Sequence, residues 1–154
     1  MRSGRIVTKI KEESIVPPKL KAFIINTLRR ASYRWKNRGE AKKRYKVKVG
    51  EFKTGRSKYG YSCAKCKLVF KSGEVQMDHL YAVVDPIKGF VGFDEYILRM
   101  FCDEENFICL CSGCHDEKTA VEREYRKKFK DLEDDDLELE LEYLSFIDSY
   151  KEKA

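Results

Sequence analysis

The period of the apolar positions changes several times along the chain, and each change marks an element. After Pro17-Pro18, a suitable lead-in to a helix, Leu20, Phe23, Ile24, Leu28, Ala31 and Trp35 follow helical spacing. The opposite face carries Lys21, Arg29, Arg30 and Arg34, and Gly39 reads as the stop. Residues 1–16 show little periodicity and read as an extended arm. Val75 and Met77 alternate with polar neighbours up to Asp78-His79, the pattern of a strand, and Ile108 and Leu110 alternate with Cys109 and Cys111 as a second one. Between them, residues 85–93 carry turn signals, and Phe93, Tyr96, Ile97, Met100 and Phe101 return to helical spacing. From Asp116 onward, Val121, Tyr125 and Phe129 mark a further helix. In the tail, Leu137, Leu139 and Leu141 alternate like a strand, whereas Leu137, Leu141 and Leu144 share one helical face. Leu and Glu are strong helix formers, and Asp134-Asp135-Asp136 supplies a cap, so the helix is favoured.

Charge divides the same chain differently. Residues 1–60 hold 19 Lys and Arg against 4 Asp and Glu, residues 61–115 hold 5 against 8, and residues 116–154 hold 8 against 14. A basic third on an acidic remainder points to a polyanion, with nucleic acid the common one. Arg29, Arg30, Arg34, Lys36, Arg38, Lys42, Lys43, Arg44, Lys46 and Lys48 are the candidate phosphate contacts, and Lys53, Arg56 and Lys58 extend the run. A solvated basic surface is the plainer alternative. The length of 154 residues suits one domain with a real core. No run approaches the ~18 apolar residues of a membrane span, and the basic start lacks the apolar region of a secretory signal. A cytoplasmic location is therefore expected, where Cys-x-x-Cys pairs imply metal or redox chemistry rather than disulfides.

The pairs are Cys63-Ala-Lys-Cys66 and Cys111-Ser-Gly-Cys114. Four thiolates in two knuckles suit a tetrahedral zinc ion, which would help to fold a domain of modest core, and Gly113 would help the second knuckle to turn. A redox dithiol would account for one pair only. Cys102 and Cys109 read as small buried hydrophobes, with Cys109 able to replace Cys111 in another register. Both histidines of the chain lie in or between these knuckles, in Asp78-His79 and Cys114-His115, with Asn106 nearby. Hydrolysis of a phosphodiester needs a base for water and a cation for the developing charge. An imidazole with a pKa of about 6.5 suits the base, and a carboxylate with a second ligand suits a hard divalent ion. Consecutive strand residues point to opposite faces, so Asp78 and His79 can share one site only if the strand ends, bulges or twists there.

Together, Cys63-Ala-Lys-Cys66, Val75-Gln-Met-Asp78-His79-Leu80, Val83-Val-Asp-Pro-Ile-Lys-Gly-Phe90, Phe93-Asp-Glu-Tyr-Ile97 and Asn106-Phe-Ile-Cys-Leu-Cys111-Ser-Gly-Cys114-His115 with Lys118-Thr119 resemble an HNH endonuclease of the phage and prokaryotic type. The resemblance covers about residues 59–120. Lys67 departs from it, because many relatives carry Gly after the second cysteine. It implies an α+β fold: a small ββα-metal core braced by a four-cysteine zinc site, with flanking N- and C-terminal helices. The implied division is a basic arm and helix over residues 1–58, a nuclease core over 59–130 and an acidic helix over 131–154. His79 would be the general base, Asp78 and His115 the ligands of a catalytic Mg²⁺ or Mn²⁺, and Asn106 the residue that holds the loop or the imidazole of His79. Cys63, Cys66, Cys111 and Cys114 would bind structural Zn²⁺. The implied partner is DNA, with phage packaging proteins added where such nucleases assist packaging and the host cytoplasm as the location of a phage-encoded protein. Homing, restriction and packaging roles stay open. A zinc-stabilised DNA-binding module without catalysis is the alternative.

Overall fold

The computed structural model describes residues 15–50, 58–131 and 136–151. Most of the arm over residues 1–16, together with Lys53, Arg56, Asp134 and Asp135, lies outside them. The fold is mixed α+β. Its elements are α1 (Pro18–Ser32), α2 (Lys36–Arg44), β1 (Lys46–Lys48), β2 (Tyr59–Ser62), β3 (Val69–Phe70), β4 (Val75–His79), α3 (Phe93–Met100), β5 (Phe107–Cys111), α4 (Ser112–Asp131) and α5 (Leu137–Asp148). A 3-10 turn over Glu104–Asn106 precedes β5. No helix among the described residues is long and apolar enough to cross a membrane.

β1, β2 and β3 form one antiparallel sheet, and β4 and β5 pair antiparallel in a second. All five residues of β5 are buried rather than alternately exposed. The reason is coverage: β5 touches α2 as well as α4, so neither face is left to water. The basic N-terminal region is likewise part of the main body. Ala41 of α2 and Tyr45 belong to the same buried cluster as β5, and β1 pairs with β2 across the division drawn at residue 58.

The first helix does not run on to Gly39. It ends at Ser32, whose hydroxyl donates to the Arg29 carbonyl, and the chain restarts as α2 with Gly39 inside it. Trp35 explains the break: its indole N–H donates to the Cys102 carbonyl at 2.9 Å, and its ring meets Phe101 edge-on. Anchoring one large aromatic outweighs the few hydrogen bonds that a continuous helix would add. Leu20 and Phe23 remain exposed, so the apolar stripe of α1 is only partly covered.

The tail is helical, as its composition favoured, and the Asp136 side chain accepts from the Leu139 N–H as a cap. Its inner face differs from the expected one. Leu137, Leu141 and Leu144 are exposed, while Tyr143, Ile147 and Tyr150 are buried. Tyr125 of α4 meets Tyr143 edge-on and tilts against Phe146. Aromatic rings bury more area than leucines, so they set which side of α5 turns inward.

Candidate metal centre and adjoining cavity

The turn from β2 to β3 carries Cys63 and Cys66, and the junction of β5 with α4 carries Cys111 and Cys114. Folding brings all four sulfurs within 4.8 Å of one another. Bonds of about 2.3 Å to a tetrahedral zinc would place the sulfurs about 3.8 Å apart, and the Cys66 and Cys111 sulfurs stand 3.9 Å apart. Burial would push the Cys63 thiol up, but hydrogen bonds from the backbone around Cys111, Cys66 and Lys65 bring it down to about 7. Burial raises Cys66 and Cys114. Four thiols this close cannot all ionise without a cation, and the donor set therefore fits zinc or a similarly soft metal. Cys109 stays outside the cluster, in the hydrophobic core, and burial raises its pKa to about 11. Cys102 is raised likewise.

Two features shape the knuckles. Lys67 has φ +62°, the left-handed region, just after Cys66. Its N–H returns to the Cys63 carbonyl at 2.9 Å, and the Cys63 N–H donates to the Leu68 carbonyl. Gly113 makes no special turn. It lies in the first turn of α4 with open space where a Cβ would stand.

At the His79 end of β4 lies a cavity of about 390 Å³ lined by Arg29, Asp78, His79, Ala82, Val83, Val84, Lys118, Glu122 and Arg126. The register of β4 on β5 is continuous from Val75 to His79, with no bulge. The strand ends at His79 instead, and both Asp78 and His79 line the cavity. His79 Nε2 lies 3.0 Å from the Met100 carbonyl oxygen. A carbonyl only accepts, so Nε2 carries the proton and Nδ1 keeps its lone pair. The ring also tilts against Phe107, with centroids 4.8 Å apart. Burial lowers the pKa of His79 below the ordinary histidine value, against the Met100 hydrogen bond and the Asp78 carboxylate, which act the other way, and this favours the neutral ring. Asn106 reaches this region by its backbone, since its carbonyl accepts from the Leu80 N–H at 2.8 Å. It holds the chain next to His79, while Met100 and Phe107 hold the ring.

Lys118 is the residue that pattern reading left without a role. Its side chain is 1% exposed, and its ammonium donates to Asp78 Oδ2 at 3.1 Å, Glu122 Oε1 at 2.6 Å and the His79 carbonyl at 2.9 Å. Burial raises the Glu122 carboxyl above its ordinary range, against the pull of Lys118. The spacing of Lys118, Glu122 and Arg126 by four residues on α4 was the available signal.

Three oxygen donors around an ammonium show a position that favours a hard cation. His115 is not among them, nor does it line the cavity. Its Nδ1 is buried, makes no hydrogen bond and sits 3.5 Å from Asp116 Oδ1. Among the described residues, the four cysteines are the sole group of three or more ligating side chains close enough to share an ion. Asp78 is engaged by the Lys118 ammonium, and His115 lies beside Asp116.

The ten basic candidates part company in the structure. Arg38 donates to the Met77 carbonyl and Arg44 to the Glu104 carbonyl, Lys42 donates to Ser72, Lys43 pairs with Glu40, and Lys46 lies over the Tyr59 ring. Among the described residues, no ion pair or side-chain hydrogen bond engages the charged ends of Arg29, Arg30, Arg34, Lys36 or Lys48. No family model, curated protein or solved structure matches the chain.

Proposed function

We propose that the protein is a DNA endonuclease of the HNH type, with β4, β5 and the start of α4 as its ββα core. The observation that carries this reading is His79: a neutral imidazole, held at Nε2 by the Met100 carbonyl, in a cavity that also contains three cationic side chains. Such an imidazole can take a proton from water at Nδ1 as the water oxygen bonds to phosphorus, while the P–O3′ bond breaks and the leaving 3′ oxygen takes a proton from solvent. Lys118, Arg29 and Arg126 bring positive charge to the same space, where it opposes the charge that builds on the phosphate oxygens. The dependence on Mg²⁺ or Mn²⁺, with Asp78 and His115 as ligands, rests on the family resemblance. The Lys118 ammonium stands at Asp78.

That same ammonium favours the second reading, a zinc-stabilised DNA-binding module without catalysis. A plasmid-nicking assay separates the two. Wild type is expected to nick supercoiled DNA in Mg²⁺ or Mn²⁺, and His79→Ala to lose at least about a hundredfold in rate, the scale of a missing general base. Absence of nicking by wild type in any divalent ion would favour the binding module. Equal nicking by His79→Ala would remove His79 from the role of base.

A further inference from the structure

We propose that Arg29 and Arg126 together form a binding site for a nucleic-acid backbone phosphate in the cavity beside His79. The inference rests on the nuclease reading only for what happens to that phosphate; the site itself follows from the charges. Arg29 comes from the last turn of α1 and Arg126 from α4, and the fold brings both to one cavity. Every other charged group on the lining is already matched. Lys118 is enclosed by Asp78, Glu122 and the His79 carbonyl, and its one positive charge is shared between the two carboxylates. Arg126 lies near enough to Glu122 to hold its carboxyl down, yet it makes no ion pair.

Both arginines are exposed, and among the described residues no side-chain hydrogen bond or ion pair engages either guanidinium. Two unmatched guanidinium groups on one cavity repel unless an anion lies with them. The planar fork of arginine suits the paired oxygens of a phosphate, which it can grip with two parallel hydrogen bonds. The remaining wall is Ala82, Val83 and Val84, whose side chains offer no donor, so the side-chain donors left for an anion are those of the two arginines. A phosphate held there shares the cavity with His79. Arg38 and Arg44, by contrast, spend their guanidinium groups on carbonyls of their own chain and are poorly placed to take a phosphate.

The test is binding of a short DNA duplex to the full-length, zinc-loaded protein, without added Mg²⁺ or Mn²⁺, over a range of NaCl concentrations. Each phosphate contact contributes about one unit to the slope of log affinity against log salt. Arg29→Ala with Arg126→Ala is expected to flatten that slope by about one unit, the share of the single phosphate held there, and to weaken binding at least about tenfold at low salt. Arg123→Ala with Lys127→Ala, which removes an equal charge from exposed positions of α4 outside the cavity lining, is expected to change it by much less. Arg29 and Arg126 are both exposed, so circular dichroism melting of the Arg29→Ala, Arg126→Ala variant should match wild type. An unchanged slope in the folded Arg29→Ala, Arg126→Ala variant would overturn the proposal, as would an equal effect from Arg123→Ala with Lys127→Ala. Binding of inorganic phosphate at this site without any binding of duplex would overturn the assignment to nucleic acid. Plasmid nicking by wild type is scored separately. A protein that binds DNA through both arginines but never cuts keeps this site and loses the nuclease reading, whereas a protein that cuts with an unchanged slope in the Arg29→Ala, Arg126→Ala variant does the reverse.

Discussion

Lys67 holds the turn of the first cysteine pair in a conformation that disfavours every residue except glycine. Its φ of +62° places the Cβ against its own backbone, at a cost of about 1–2 kcal/mol for an L-residue. Replacing it by Gly removes that cost but gives the unfolded chain more freedom, worth about 0.5–1 kcal/mol in the other direction. Lys67→Gly is therefore expected to stabilise the zinc-loaded protein by about 0.5–1 kcal/mol, read as a higher urea midpoint. A lower midpoint would mean that the lysine side chain contributes something the backbone argument omits. At this scale the cysteine ligands were legible, because spacing alone selects two knuckles and the fold joins those four. Lys118 was not, because a lysine on an amphipathic helix looks the same whether it faces water or a buried carboxylate pair. The Met100 carbonyl that orients His79 was equally hidden, since a backbone acceptor leaves no mark on residue type.

Helix α4 joins the two halves of the candidate site, with Cys114 at its start and Lys118, Glu122 and Arg126 along one side. Lys118 is the charge that lets Asp78 and Glu122 sit together with side-chain exposures of only 22% and 13%. Removing one partner from such a group leaves the other charges poorly solvated, which costs more than the contact itself was worth. Lys118→Met keeps the length of the side chain and removes the charge, and it is expected to destabilise the fold by about 2–4 kcal/mol in urea unfolding. The variant also leaves Asp78, Glu122 and the His79 carbonyl, all hard oxygen donors, without their cation. Millimolar Mg²⁺ should therefore raise its melting temperature more than that of wild type. A loss under about 1 kcal/mol, the range of a surface pair, would show that the ammonium is not what holds these acids together. Elements were more legible than their ends. Periodicity located β4, β5, α3 and α5, but the break at Trp35 and the inward face of α5 were decided by distant aromatic partners, Phe101 and Tyr125, which lie beyond any local window.

Across the whole molecule, the four cysteines lie where the two sheets meet, at a seam that the Ala64 N–H to Cys109 carbonyl bond and the shared buried cluster also close. Cys63 and Cys66 belong to the turn of the three-stranded sheet, whereas Cys111 and Cys114 end the second sheet and begin α4. A metal there fixes the two sheets to each other and sets the first turn of the helix that carries Lys118, Glu122 and Arg126. Binding of a structural zinc is worth about 10–16 kcal/mol in small zinc domains, as much as the whole stability of a typical domain at about 5–15 kcal/mol. Stripping the metal should therefore abolish the cooperative melting transition rather than shift it slightly. Because α4 also lines the cavity, the same treatment should abolish any DNA cleavage, and Mg²⁺ alone should not restore it, while Zn²⁺ followed by Mg²⁺ should. The measurement is calorimetric melting and plasmid nicking on one chelated sample, before and after each addition. Retained melting with lost cleavage would confine the metal to the cavity, and retained cleavage would separate the cysteine cluster from the site altogether. Loss of both, with recovery only through zinc, is the outcome that the shared helix requires, since α4 begins at the second cysteine pair and carries Lys118, whose ammonium holds the His79 carbonyl.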